Sequence, residues 1–183
     1  MKEHQVTDNP DVSIPGADGK PAKRIPLTKG WFALVDADDY DFLSQWRWCV
    51  SAAGRRGAAY AYRNQHMPGG KMIGVFMHRV ILETPPGMVS DHIDGDGLNN
   101  TRGNLRVVTP RQNQMNRRPN RGGTSPFKGV CLDTSNPRKP WLARIGVNGR
   151  RIFLGRFTRE DDAGAAYAGA AVKYFGGYAR VSD

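Results

Sequence analysis

The chain has 183 residues, 39% apolar and 24% charged, with a formal net charge of +10. This composition allows one globular domain or two small ones, and its sign favours a polyanionic partner, nucleic acid first, over neutral or cationic ligands. Cys49 and Cys131 stand far apart with no C-x-x-C pair, and no run of roughly 18 apolar residues occurs, so a disulfide framework, a structural zinc and a membrane span are not expected and a reduced cytoplasm is.

Residues 1–24 are rich in Pro, Gly, Asp and Lys and read as a flexible arm without a secretory apolar run. From "IPLTKGWFALVDADDYDFLSQWRWCV" to "AYAYRN" short apolar alternations surround one helix, Asp36 to Gln45, which makes a small α+β region. "VFMHRVILE" has the spacing of a short helix, stopped by Pro85 and Pro86. "GMVSDHI" and "NLRVVT" read as strands separated by a Gly/Asn-rich loop, and "PRQNQMNRR" as a helix with Thr109 as N-cap and Pro110 at its first position. "RPNRGGTS" lacks core residues and marks a linker, placed at 119–124. Beyond it "FKGVCLD", "PWLARIGV" and "RRIFLGRF" predict three strands, and "REDDAGAAYAGAAVKYF" predicts an Ala-rich helix with acids in its first turn. The expected organisation is therefore α+β, with an arm (1–24), a first domain (25–118), the linker, and a three-stranded antiparallel sheet packed on one helix (125–183).

The stretch "SDHIDGDGLNN" concentrates Asp91, Asp94 and Asp96 in a basic chain. A calcium loop of the EF-hand type fails by register, since a glycine at Gly97 would put His92 at its first position and Gly103 at its last. Asp94, Asp96, Asn99 and Asn100 read as turn formers that bond the loop's own backbone. The strand, loop, strand, helix order brings Asp91 and His92, then Asn104, then Asn113 toward one shallow cleft. His78 reads as a residue that braces this cleft.

"DHIDGDGLNNTRGNLRVVTPRQNQMNR", with "MHRVI" before it, resembles the HNH nuclease family and its ββα-metal motif. His92 matches the first H and Asn104 the N, while Asn113 stands where many members have the second H. That pattern is similar to the phage and intron-encoded homing subgroup, in which Asp and Asn together hold the metal. The resemblance implies Mg²⁺, with Mn²⁺ as a substitute, on Asp91 and Asn113, whose hard oxygens suit it. It implies His92 as the base, near neutrality at an ordinary pKa of ~6.5, and Asn104 orienting His92 or the phosphate.

Residues 125–183 resemble the AP2/ERF DNA-binding domain through "FKGV", "WLARI", "LGRF", "AGAAYAGAA" and "GGYARVS". By position this implies Lys128, Trp141, Arg144, Arg151 and Phe153 as DNA contacts, with sheet-face packing as the alternative for Trp141 and Phe153. Cys131 and Gly146 stand where plant domains often carry arginine, and Arg144 replaces an acid, so no target preference transfers. From Arg102 to Lys128 the chain holds seven basic and no acidic residues, and Arg111, Arg117 and Arg118 there are candidates for the phosphate backbone. Two functions follow: a metal-dependent endonuclease on double-stranded DNA, with a monomer that nicks as the default, or a DNA-binding regulator whose nuclease site has decayed.

Overall fold

The structure, a computed structural model, describes residues 14–180 apart from 17–18, 52–58, 118 and 120–121. The chain divides into two compact units at Thr109/Pro110. In the first, β1 (Ile14–Pro15), β2 (Pro21–Pro26) and β3 (Phe32–Asp36) form an antiparallel sheet in the order β1-β2-β3. The helix α1 (Ala37–Leu43) leaves β3 directly, with Asp38 and Asp39 in its first turn where the positive helix end favours them. A second antiparallel sheet, β4 (Cys49–Val50), β5 (Ala61–His66) and β6 (Met72–Phe76), leads into α2 (Met77–Ile81). The hairpin of β7 (Val89–His92) and β8 (Leu105–Val108) follows, its loop closing through a 3₁₀ turn at Arg102–Asn104.

The first core gathers Ile25 of β2, Ala33 and Val35 of β3, Leu43 of α1, Trp48 ahead of β4, Ala61 of β5, Met77 and Ile81 of α2 and Leu105 of β8. Trp48 reconciles its polar edge with burial by donating its indole N–H to the Leu43 carbonyl at 2.8 Å. Arg63 lays its guanidinium 4.6 Å from the centre of the Trp46 ring, a cation–π contact at the edge of that core.

The second unit opens with α3 (Pro110–Met115) and continues with β9 (Val130–Leu132), β10 (Trp141–Val147), β11 (Arg150–Phe157) and α4 (Glu160–Phe175). Its sheet is antiparallel in the order β11-β10-β9. Ala143 and Ile145 of β10 pack with Ala163, Tyr167 and Ala171 of α4, so the small residues of the helix allow close approach to the sheet. Gly164 belongs to that contact, because a Cβ there would come within 2.8 Å of the Phe127 ring. Gly129 is under a stronger constraint: its φ is +72°, and a Cβ would lie 2.3 Å from the Tyr167 ring and 2.4 Å from the Arg144 carbonyl. The sheet bulges between Ala143 and Arg144.

Three boundaries differ from expectation. Ordered strand structure starts before residue 25, because β2 pairs with β3 and sinks Ala22 completely; residues 1–13 of the expected arm lie outside the described residues. The segment "VFMHRVILE" is part strand, since Val75 and Phe76 finish β6. The third concerns α3, whose contacts lie with the second unit, so the division falls ahead of it rather than at 119–124. Lys128 is the reason: its ammonium donates to the Gln114 and Met115 carbonyls at 3.3 and 2.7 Å, filling acceptors that the end of α3 leaves open. Arg111 adds a hydrogen bond to the Asn148 side chain. No described helix is long and apolar enough to cross a membrane.

Gly129→Ala should destabilise the second unit by roughly 2–4 kcal/mol, the combined scale of left-handed strain and overpacking. Urea unfolding followed by the tryptophan signal measures it, and a loss under about 1 kcal/mol would contradict this packing.

Candidate active site

Successive side chains of β7 point to opposite faces, so Asp91 and His92, though adjacent, enter different surroundings. Both are buried. Asp91 lies opposite Arg106 in the hairpin register, and Nε and Nη2 of Arg106 approach the same carboxylate oxygen, Oδ2, at 2.9 and 2.7 Å. Each partner thereby offsets the desolvation of the other.

The acidic loop after β7 is organised from within. Asp94 Oδ1 accepts from the Asp96 backbone at 2.8 Å and from Asn104 Nδ2 at 2.9 Å, while its Oδ2 accepts from Asn99 Nδ2 at 2.8 Å. Asp96 accepts from the Leu98 backbone at 3.0 Å. These are the turn-forming bonds expected of Asp94, Asp96 and Asn99. Asn104 also donates to the Asn99 carbonyl at 2.8 Å and accepts from the Asp94 backbone at 3.0 Å. Its amide thus braces the loop.

Strand β3 clips this loop down. Leu34 donates to the Leu98 carbonyl at 2.9 Å and accepts from the Asn100 backbone at 2.7 Å, and buried Asp36 accepts from the Arg102 backbone at 3.0 Å. The Arg102 guanidinium grips Asp39 with two bonds, 2.8 and 2.7 Å, just outside. Gly97 lets the loop pass the Tyr60 ring, which a Cβ would meet at 2.5 Å.

Around the His92 imidazole stand Asn100 and an aromatic wall. Asn100 Oδ1 lies 3.3 Å from Nε2. The His78 ring meets His92 edge-on at 5.0 Å and stacks on Phe76 at 5.4 Å, and Tyr60 stands 5.7 Å from both histidines. Burial lowers the His92 pKa from its ordinary value, against the opposing pull of the Asn100 bond and of Asp94, Asp91 and Asp96. His78 is pushed down to about 3, chiefly by burial and then by His92 and Arg79. Both rings are therefore neutral at pH 7, and His92 has a lone pair with which to accept a proton.

The other expected residues divide. Asn113 lies half-buried on α3, in the second unit. Lys128 caps α3 rather than opening to solvent, and burial, then Arg117 and Arg180, lower its pKa to about 8. Trp141 packs against the second core. Arg144 and Phe153, and beside them Gly146 and Arg151, are cross-strand pairs exposed on the sheet face opposite α4, with Phe153 62% exposed. Arg111 and Arg117 are exposed, and Arg118 lies outside the described residues. Sequence reasoning missed Arg106, Tyr60 and the task of Asn100. Only Arg106 left a signal, as an opposite charge facing Asp91 once the hairpin is registered.

The family description "HNH endonuclease" matches residues 75–115, from the end of β6 through α3. A protein described as an uncharacterized HNH endonuclease of Acanthamoeba polyphaga mimivirus is 31% identical over 153 residues, 82% of this chain and 74% of that protein. The chain belongs to the HNH endonuclease family. Protein 3.8 of Escherichia phage T7 is 36% identical over 67 residues, 37% of this chain and about half (54%) of its own length. No solved structure matches. The HNH match therefore covers Asp91, His92, Asn104 and Asn113 together and ends on a helix whose contacts belong to the second unit.

A carboxylate oxygen and an amide oxygen are donor types suited to a hard divalent cation; Asp91 belongs to the first unit and Asn113 to the second, and among the described residues no three His, Cys, Asp or Glu side chains gather as a metal site.

The buried neutral His78 gives a pH signature. Below its unfolded value near 6.5 the unfolded chain takes up a proton that the folded one refuses until about 3, so stability falls as pH falls through that window. His78→Phe should retain the stack on Phe76 and make the pH dependence of urea stability between about pH 6.5 and 4 shallower. Parallel curves for variant and wild type would contradict a buried neutral His78.

Proposed function

We propose that this HNH endonuclease hydrolyses phosphodiester bonds of double-stranded DNA with Mg²⁺, nicking one strand per active site as a monomer in the cytoplasm of the cell that hosts it. The observation that carries the reading is the buried Asp91–His92 pair, one residue ion-paired and oriented, the other neutral and walled by rings, inside the span that matches the family. Asp91 and Asn113 are the residues that would hold the cation. The chemistry it supplies when bound is stabilisation of charge on the phosphate and the leaving oxygen. His92 takes a proton from the attacking water, a role open to an imidazole kept neutral by burial. Arg106 fixes the Asp91 carboxylate, and Asn104 keeps the loop folded.

The second unit positions DNA, as its AP2/ERF-like sheet suggests. Arg144, Arg151 and Phe153 form an open basic and aromatic face on strands, a shape the major groove admits. Arg111, Arg117 and Arg118 extend positive charge along the phosphate backbone. Relatives from a giant virus and a phage support a mobile, homing-type enzyme.

His92→Ala should lower the Mg²⁺-dependent nicking of supercoiled plasmid roughly 10²- to 10⁴-fold while leaving DNA affinity nearly intact, and EDTA should abolish the wild-type reaction. A folded variant that nicks at the normal rate would remove His92 from the mechanism. Replacing Arg144 and Arg151 by Ala should weaken binding and shallow its salt dependence by about one unit of logarithmic slope per lost phosphate contact. Titrations of a fixed duplex at several salt concentrations measure this, and an unchanged slope and affinity would move DNA binding off this face.

A further inference from the structure

From Phe42 to Leu82 the chain holds six basic and no acidic residues, a second stretch of one sign besides residues 102–128. The second sheet and α2 are built from it. Register fixes what the β5–β6 hairpin shows to each side: Tyr62 pairs with Phe76, Asn64 with Gly74 and His66 with Met72, and paired residues of an antiparallel ladder share a face. The alternate residues turn to the core, where Ala61 is fully buried and Arg63 lies over the Trp46 ring. Asn64, His66, Gly74 and Met72 are exposed, so the outward face is open. It is also continuous with the candidate active site, because Phe76 stacks on His78 and His78 meets His92 edge-on. From Phe76 to Met72 the face runs roughly 13 Å, the axial length of about four base pairs.

The glycine in the middle of this face is not required by the fold. Gly74 has no left-handed φ, its register with β5 passes without a bulge, and a Cβ there would meet nothing closer than the Tyr62 ring at 4.0 Å, an ordinary contact. Glycine weakens a strand, and where no bulge or bend explains it, it marks a place that a ligand approaches closely. We propose that the outward face of β5–β6 docks the DNA duplex beside the active site, with the nucleic acid in the hollow over Gly74 and the Asn64 amide and His66 ring as its polar contacts. This rests on the proposed nuclease reading and names where on the first unit its substrate sits. The occupant follows from charge, since a stretch with six cations and no carboxylate attracts a phosphodiester strand. Shape agrees, because the major groove admits a two-stranded ribbon and an asparagine amide matches the edge of adenine. Exposed Lys71, at the start of the turn into β6, lies at the far end of the same hairpin, where it can meet the phosphate backbone.

The test measures binding of a fixed labelled duplex by the full chain in EDTA, and separately the nicking of plasmid in Mg²⁺. Gly74→Val should leave the urea midpoint unchanged or raised, because valine suits a strand, yet weaken duplex binding roughly 10-fold or more, with a matching rise in KM and kcat nearly intact. Asn64→Asp should weaken binding on a similar scale and Asn64→Lys should tighten it. Gln65→Glu makes the same change of charge at an exposed residue one place along, on the opposite face, and should have little effect. Equal losses at positions 64 and 65 would reduce the effect to long-range charge and overturn the docking face, as would normal affinity in Gly74→Val and Asn64→Asp. If Gly74→Val does not fold, the comparison of Asn64 with Gln65, both exposed, still decides. A wild-type chain with no affinity for the duplex would overturn this face together with the nuclease reading on DNA, whereas a wild type that binds and nicks DNA no better than its Asn64→Asp and Gly74→Val variants would overturn this face alone.

Discussion

The hydrogen bonds between β3 and the loop after β7 are the constraint on which the candidate site depends. A loop of Asp, Asn and Gly has almost no apolar surface to bury, so it can stand beside a buried imidazole only when its polar groups find partners. Leu34 supplies two of them, to Leu98 and Asn100, and Asp36 a third, to Arg102. Each such bond contributes only about 1 kcal/mol net, but leaving one of these buried groups unmet costs roughly 1–3 kcal/mol, so the arrangement holds as a set or not at all. β3 in turn is fixed by β2 and by the core around Ile25 and Val35, which is why residues far from the site in sequence set its geometry.

The charges divide by the same logic of burial. In a chain of net charge +10 the acids near the site do not form an open negative patch. Asp94 and Asp96 are consumed by turns, Asp39 holds Arg102, and Asp91 is paired with Arg106. For His92 three carboxylates and a hydrogen bond pull the pKa up while burial pulls it down, and burial wins. A site that kept its histidine charged would have no lone pair to offer. The basic residues behave differently on the second unit, where Arg144 and Arg151 stay in solvent on the open face of the sheet while Lys128 is drawn in to cap a helix.

Much of this was readable from the chain. The alternation in "PWLARIGV" and "RRIFLGRF" and the Ala-rich run after them gave β10, β11 and α4 nearly to the residue. The HNH spacing singles out Asp91, His92, Asn104 and Asn113 as candidates because a motif encodes separation along the chain, and the family match spans all four positions. What it does not encode is which amide faces which ring. Asn100 and Asn104 have the same chemistry, and only the folded loop shows that one braces Asp94 while the other meets His92. β2 was hidden because Ala22 and Lys23 carry little apolar signal and gain their place through pairing with β3. The attachment of α3 was hidden for a related reason: Lys128 reaches main-chain carbonyls, and no side-chain pattern announces such a partner.

Native-state hydrogen exchange at the Asn100 and Arg102 amides tests most directly whether the clipped loop is the foundation of the site. These two N–H groups donate to Leu34 and Asp36, and if the clip is integral to the first unit they should exchange only through its global unfolding, with the same free energy as core amides of β3. Exchange at these two positions through a local opening several kcal/mol below the global value, with β3 still protected, would contradict the account and show the loop to be a separate, loosely held piece.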